Sequence, residues 1–339
     1  MRSKWKRAKK DEKMMRDTLR YLEKRGIKAL EFARRAILSE SIGAKNVHDA
    51  LNYFMNEVWF DFYYPGLLSI ACEAVGGDSE KTVEIGAGIV LMRGAIDIHD
   101  DIIDQSKTKD SKLTVYGTYG KDVSLLTGDA LLLKSFTLLA EGSRALQEEK
   151  RQRILTLLKS AFFEVGDAEA REILFRGRFD LTPEEYFEVV RLKAASADVS
   201  ARIGAIIGDG IKKEVRALGE YGRILGILMI IRNEFVDMFE SEELQNRIAN
   251  ECLPLPILYA FKNKNSKEKI INILQKKKLT KKDVSYVVDT IFETKEVEEL
   301  REEMRRLIKK GLDGLECLRN LEVKNILNNL LLLSVRDLE

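Results

Sequence analysis

The stretch that most restricts the fold is Ile85-Gly86-Ala87-Gly88-Ile89-Val90-Leu91-Met92, followed within two turns by His99-Asp100-Asp101-Ile102-Ile103-Asp104. A helix apolar nearly all round has to be covered on every side, so other helices must be built around it. Yet this one leads into three carboxylates. At about 3.6 residues per turn Asp100 and Asp104 lie one above the other, and Asp101 is about 100° round the same helix. Like charges that close repel unless a cation holds them. Carboxylate oxygens at such spacing suit hard divalent ions, above all Mg²⁺, which is commonly completed by substrate phosphates. The pattern predicts a buried helix whose end meets metal and diphosphate.

A second group, Asn233, Glu234 and Asp237, follows another apolar run, Leu225-Gly226-Ile227-Leu228-Met229. Two sets of oxygen ligands at i, i+1 and i+4 on separate buried helices are expected to face each other across one cavity, with all six residues as metal ligands.

Composition narrows the classes. A 45% apolar content is enough for a substantial core. Lys plus Arg at 57 against Asp plus Glu at 55 leaves a net charge of +2, with no global field that argues for nucleic acid. Cys72, Cys252 and Cys317 lack metal spacing, which favours reduced thiols and a cytoplasmic protein. No run of about 18 apolar residues is free of charge, which argues against a transmembrane span. Residues 1–16 carry eight Lys/Arg and two acids, a basic N-terminal arm without the apolar region of a secretory signal.

Along the chain, Met15, Leu19, Leu22, Ile27, Leu30 and Ile37 fit an amphipathic helix pair broken near Gly26. Gln105 to Thr114 reads as a polar loop above the carboxylates, and a helix is expected to begin at Lys121. Thr182-Pro183-Glu184-Glu185 carries an N-cap, a proline at the first position and acids in the first turn. Small residues from Ala194 to Gly208 let neighbouring helices approach closely. Thr280-Lys281-Lys282-Asp283 is a capping box. With no repeat, linker or strand ladder, residues 1–339 read as a single all-α domain of ten or more helices.

These segments carry a resemblance. Ala71-Cys72-Glu73-Ala74-Val75-Gly76-Gly77, His99 to Asp104, Thr127-Gly128-Asp129-Ala130-Leu131-Leu132, Thr182 to Tyr186 with Lys193-Ala194-Ala195, and Tyr221-Gly222-Arg223 with Leu225-Gly226 stand in the order of the trans-polyprenyl diphosphate synthases. Over residues 50–262 the chain resembles that family, whose class I isoprenoid synthase fold is a large orthogonal helical bundle around a central cavity. The resemblance implies a trans-prenyltransferase of isoprenoid biosynthesis. Mg²⁺ grips the diphosphate of an allylic substrate, ionisation gives an allylic cation, and this alkylates isopentenyl diphosphate. Asp100, Asp101 and Asp104 become first-motif ligands, Lys193 a diphosphate binder, and Asp237 the last residue of the second motif. Ala95 and Ile96 stand where an aromatic side chain often floors the pocket, which implies room for a chain of about C20 or longer.

The departures cluster on diphosphate binding. Where the family's Gly-Gly-Lys-Arg-x-Arg-Pro holds isopentenyl diphosphate, this chain has Trp59-Phe60-Asp61-Phe62-Tyr63-Tyr64-Pro65. Its Arg-Arg-Gly-x-Pro-Thr becomes Lys109-Asp110-Ser111-Lys112-Leu113-Thr114, leaving Lys109 to bind substrate. The second motif has Asn233 and Glu234 for two aspartates, and Ile230 stands where a Gln usually does. Arg93 and Arg232 are extra cations near the two motifs that partly replace what is lost. The alternatives are an enzyme that uses only the allylic diphosphate, as terpene synthases do, and a non-catalytic subunit of a heteromeric synthase. A homodimer or a heterodimer with a related subunit is expected.

Overall fold

Helix Val83–Ile103 runs between two cores, which is why residues 85–92 carry no polar side chain. Ile85, Ile89 and Met92 pack into the larger core, while Ala87, Val90, Leu91, Ala95 and Ile98 pack into the smaller. The structure, a computed structural model, describes residues 2–109 and 111–336, with side chains from Glu12 onward. Asp110, and most side chains of the basic arm read for residues 1–16, lie outside the described residues.

The described residues form an all-α fold, as the sequence predicts, with one short hairpin that it does not. It begins with α1 (Arg2–Leu38), α2 (Lys45–Tyr53), α3 (Tyr63–Ala74) and α4 (Val83–Ile103). Next come α5 (Val115–Gly142), α6 (Glu148–Phe175), α7 (Pro183–Lys193), α8 (Ala195–Ile207) and α9 (Lys212–Asp237). The remainder is α10 (Ser241–Asn250), α11 (Leu255–Ala260), α12 (Lys264–Leu274), α13 (Lys281–Glu293), α14 (Lys295–Gly314) and α15 (Leu321–Leu333). The buried small residues Ala197, Ala201, Gly204 and Ala205 put α8 tight against α3 and α9. Both expected caps form: Thr182 and Glu185 bond reciprocally before α7, as do Thr280 and Asp283 before α13.

Four expectations change. Gly26 does not break α1, because its role is contact: a Cβ there would lie 1.9 Å from the Phe62 carbonyl oxygen where α3 begins. The polar loop after the carboxylates holds a short antiparallel hairpin, β1 (Thr108–Lys109) with β2 (Lys112–Leu113). Helix α5 starts at Val115, with Thr114 as its cap; Gly120, at φ 77°, interrupts it, and regular helix resumes at Lys121. Helix α10 was not expected at all.

Helix α5 also qualifies the reading against a membrane span. Despite Asp129 and Lys134, among the described residues it is the one helix long and apolar enough to cross a membrane. Its inner face, with Thr127, Leu131, Ser135 and Leu138, is buried, and the helix lies along α4. Its outer face exposes Leu125, Leu126, Leu133 and Phe136.

Candidate active site

The first carboxylates gather at the C-terminal end of α4, each in a different environment. Asp101 is buried, and Lys109 lies 3.9 Å from it while donating to Asp97 at 2.6 Å. Asp104 follows the last turn and accepts from Arg176 Nη2 at 2.7 Å; the same nitrogen donates to the Ile103 carbonyl. Asp100 keeps a buried Oδ1 atom with no hydrogen-bond partner. Facing it from α6 are Glu169 and Glu172, which share Lys193.

Crowding of acids out of water sets their protonation. Burial, reinforced by Asp97 and opposed by Lys109, pushes Asp101 up to about 8. Burial together with Asp100 and Glu251 pushes Asp104 up to about 8. Burial, opposed by Lys193 and reinforced by Asp100 and Glu172, pushes Glu169 up to about 9. Desolvation works against the Lys193 charge, but Glu172, Glu169 and Asp100 outweigh it and hold the amine protonated.

The second motif is arranged otherwise than its spacing suggests. Asn233 is exposed. Glu234 is turned into the core, where Oε1 accepts from the Tyr186 hydroxyl at 2.8 Å and Oε2 from the Leu255 N–H at 2.8 Å. Burial raises it to about 7, against the pull of Arg247 and these two donors. Asp237 accepts from Arg247 Nη2 at 2.8 Å and Nε at 3.2 Å. Arg247 also lies 3.8 Å from Glu251, and burial, opposed by Arg247 and reinforced by Asp100, raises the Glu251 carboxyl above its ordinary value. The two motifs are thus joined through Arg247, Glu251, Glu172 and Tyr186, but both Glu234 oxygens are already engaged in the core.

An apolar cavity of about 320 Å³ opens below Asp100. Its walls include Ala95, Ile96 and Ile103 from α4, Leu132 from α5, and Phe162 and Ile173 from α6, with Asp100 and Glu169 as its acidic rim. His99 stands in its wall against Gly128, which has no Cβ to exclude the ring. Asn233, Glu234 and Asp237 are not among the residues that line this cavity, and Glu234 faces away from it. The reason is rotational: one residue along α9 carries Glu234 to the side that packs on α7 and α11.

Of the two extra cations, Arg93 has partners of its own. Arg93 donates from Nε to Asp61 Oδ2 at 2.7 Å and lies 3.5 Å over the Tyr64 ring, two turns below Asp100, so it does not serve the first motif. Arg232 is half-buried on α9. Sequence reasoning missed Glu169, Glu172, Arg176, Arg247 and Glu251. For α6 the signal was there: Glu169, Glu172 and Arg176 recur at i, i+3 and i+7 on one face.

Among the described residues no three His, Cys, Asp or Glu side chains form a ready-made ion cage. The donor set nevertheless fits Mg²⁺: carboxylates outnumber cations around Asp100, two are held protonated near neutrality by mutual repulsion and burial, and one buried oxygen lacks a partner. Such a site is completed by phosphate oxygens rather than by protein alone.

The sequence profile of the polyprenyl synthetases matches residues 64–291. The chain is 29% identical over 218 residues to a short chain isoprenyl diphosphate synthase of Methanothermobacter thermautotrophicus, covering 62% of this chain and 66% of that one. It is 28% identical over 180 residues to a geranylgeranyl diphosphate synthase of Sulfolobus acidocaldarius, covering 53% and 54%. The matched stretch is thus under two thirds of either relative's length. In fold it is similar to geranylgeranyl pyrophosphate synthetase from Pyrococcus horikoshii, with a TM-score of 0.83 at 24% identity over 96% of this chain and 99% of that one. A decaprenyl diphosphate synthase from Rhodobacter capsulatus gives 0.80 at 19% identity over 96% and 99%.

Proposed function

The chain belongs to the polyprenyl synthetase family, and we propose that it is a trans-prenyltransferase that ionises an allylic prenyl diphosphate and joins it to isopentenyl diphosphate. The observation that carries this reading is the unpartnered Asp100 Oδ1 at the rim of an apolar cavity, which provides for both a charged head and a hydrocarbon tail.

Asp100, Asp101 and Asp104 would hold Mg²⁺. Bound there, the ion supplies positive charge that offsets the charge developing on the departing diphosphate. Lys193, kept protonated by Glu169 and Glu172, adds a fixed cation on the opposite side of the rim. Below the rim the walls contributed by α4, α5 and α6 exclude water, which would otherwise quench an allylic cation. Ala95 and Ile96 put no aromatic ring on the α4 wall, so a limit below about C20 would have to come from another wall.

One observation favours a second reading. Asp61 and Arg93 pair with each other where the family holds isopentenyl diphosphate. An enzyme that uses the allylic diphosphate alone, or a subunit that pairs with an active homologue, would need no second diphosphate site. The exposed apolar side of α5 suits a second copy or such a homologue as its cover.

The purified chain, given Mg²⁺, labelled isopentenyl diphosphate and a series of allylic diphosphates, tests all three. Elongated products support the first reading. Diphosphate release without isopentenyl diphosphate supports the terpene synthase-like one. Inertness alone with activity in a mixed complex supports the subunit.

A further inference from the structure

We propose that Phe162, on α6, is the stop that limits how far a hydrocarbon chain extends into the cavity. The proposal rests on the allylic-diphosphate reading and adds to it a residue that determines specificity.

Two cavities lie one below the other between α4 and α6. The upper, about 320 Å³, reaches the acidic rim. The lower, about 30 Å³, is bounded by Ile89, Met92, Arg93 and Ser196 among others. Ile96, Phe162 and Val165 line both, so these three side chains are the partition. Glu169 lies two turns above Phe162 on the same helix, about 10 Å along its axis.

Of the three, Phe162 dominates. Ile96 and Val165 are β-branched and stiff at χ1, whereas Phe162 is a planar, half-buried ring, edge-on to Phe163 with centroids 6.2 Å apart. The floor that sequence reasoning sought at Ala95 and Ile96 therefore comes from the opposite wall. A cavity of roughly 150 Å³ takes up benzene, or about 25 Å³ per carbon. On that scale the upper chamber's 320 Å³ holds about a dozen carbons. Removing the ring frees space for about six carbons and joins it to the lower 30 Å³. The gain is one isoprene unit. It ends there, because the lower chamber is closed by Ser196 and by Arg93, whose guanidinium is fixed on Asp61.

Geranyl, farnesyl and geranylgeranyl thiodiphosphates, whose C–S bond resists ionisation, are titrated with Mg²⁺ by calorimetry against the unaltered protein, Phe162→Leu, Phe162→Ala and Phe162→Ala/Ser196→Leu. The unaltered protein should gain affinity from geranyl to farnesyl and nothing further at geranylgeranyl. Phe162→Ala should bind the geranylgeranyl probe on the order of a hundredfold tighter than the farnesyl one, since several more methylenes leave water. Phe162→Leu, which keeps the helix packed, should fall between, and refilling at Ser196 should cancel the gain. In an active enzyme the product should lengthen by one unit in step. The stop is overturned if the unaltered protein already gains fully at geranylgeranyl, or if the length profile of Phe162→Ala is unchanged. Failure of every probe to bind either protein would overturn the allylic reading itself, and the stop with it.

Discussion

Replacing Asp61 with asparagine removes one negative charge from the wall where the family holds isopentenyl diphosphate, and little else. The Asn amide oxygen can still accept the Tyr63 N–H that Asp61 Oδ1 accepts at 3.1 Å, so the start of α3 keeps its bond. What goes is the charge on the 2.7 Å contact with Arg93 Nε. Arg93 stays on the Tyr64 ring, 3.5 Å from its centroid, and is released to an incoming diphosphate. A hydrogen bond to a charged group is worth roughly 1.5–3 kcal/mol. At about 1.4 kcal/mol per decade, isopentenyl diphosphate should bind Asp61→Asn on the order of ten- to a hundredfold tighter than it binds the unaltered protein. The variant should also lose about 1–2 kcal/mol of stability, since the partly buried ion pair is lost and the Asn NH2 that takes the place of Oδ2 cannot accept from Arg93. Affinity and stability then move in opposite directions, which general loosening of the fold would not produce. Calorimetry with isopentenyl diphosphate, in Mg²⁺ and farnesyl thiodiphosphate, reads the first, and thermal melting reads the second. Micromolar binding by the unaltered protein, or equal affinity of the two proteins, would refute the argument that Asp61 occupies the cation a second diphosphate needs.

Mg²⁺ affinity should rise as pH rises through about 8, because Asp101 and Asp104, both pushed up to about 8, must lose protons to bind it. In the ion-free protein the sign reverses: carboxylates raised above their unfolded values contribute stability that is present at low pH and lost as pH rises through about 8. Melting curves with and without Mg²⁺ at several pH values would show both, and a Mg²⁺ effect independent of pH would contradict them. Glu234→Ala should cost about 3 kcal/mol in chemical unfolding, since Tyr186, the Leu255 N–H and Arg247 all lose a partner. A cost near zero would return Glu234 to the list of candidate ligands. Leu133→Glu with Phe136→Glu should lower the sedimenting mass if the apolar side of α5 is a subunit contact, and an unchanged mass would remove that surface from consideration.

The helical frame was legible because its signals are local. The run from Ile85 to Met92 announces a buried helix through composition alone, and Thr182 and Thr280 announce helix starts through residues three positions on. Gly26 shows the limit: the same residue that weakens a helix in isolation also lets two backbones touch, and only the position of Phe62 tells which applies. The motif at Asn233 shows another. Spacing says which residues share a turn, but not which way the turn faces, and rotation about α9 gives Glu234 to Tyr186 and Leu255 instead of to the cavity. Arg176 and Arg247 were invisible for a related reason. Each looks like any charged helix residue until the fold brings it to an aspartate 72 or 10 positions away. Phe162 was hidden because a cavity wall is shared by helices whose sequence separation carries no periodicity.

Helix α5 has a consequence for the order in which the chain assembles. As it emerges in synthesis it is apolar on two sides, and a segment in that condition is prone to associate with whatever apolar surface is near. The side with Leu131 and Leu138 meets α4, which has already been made and lies one short hairpin upstream. That docking is intramolecular and independent of concentration. The side with Leu126, Leu133 and Phe136 is left exposed by the described residues. Covered by a second copy as proposed, it would complete folding in a step whose rate depends on how much protein is present. Dilution would then slow the second stage and leave the first untouched, and the half-covered helix would be the species that chaperones retain.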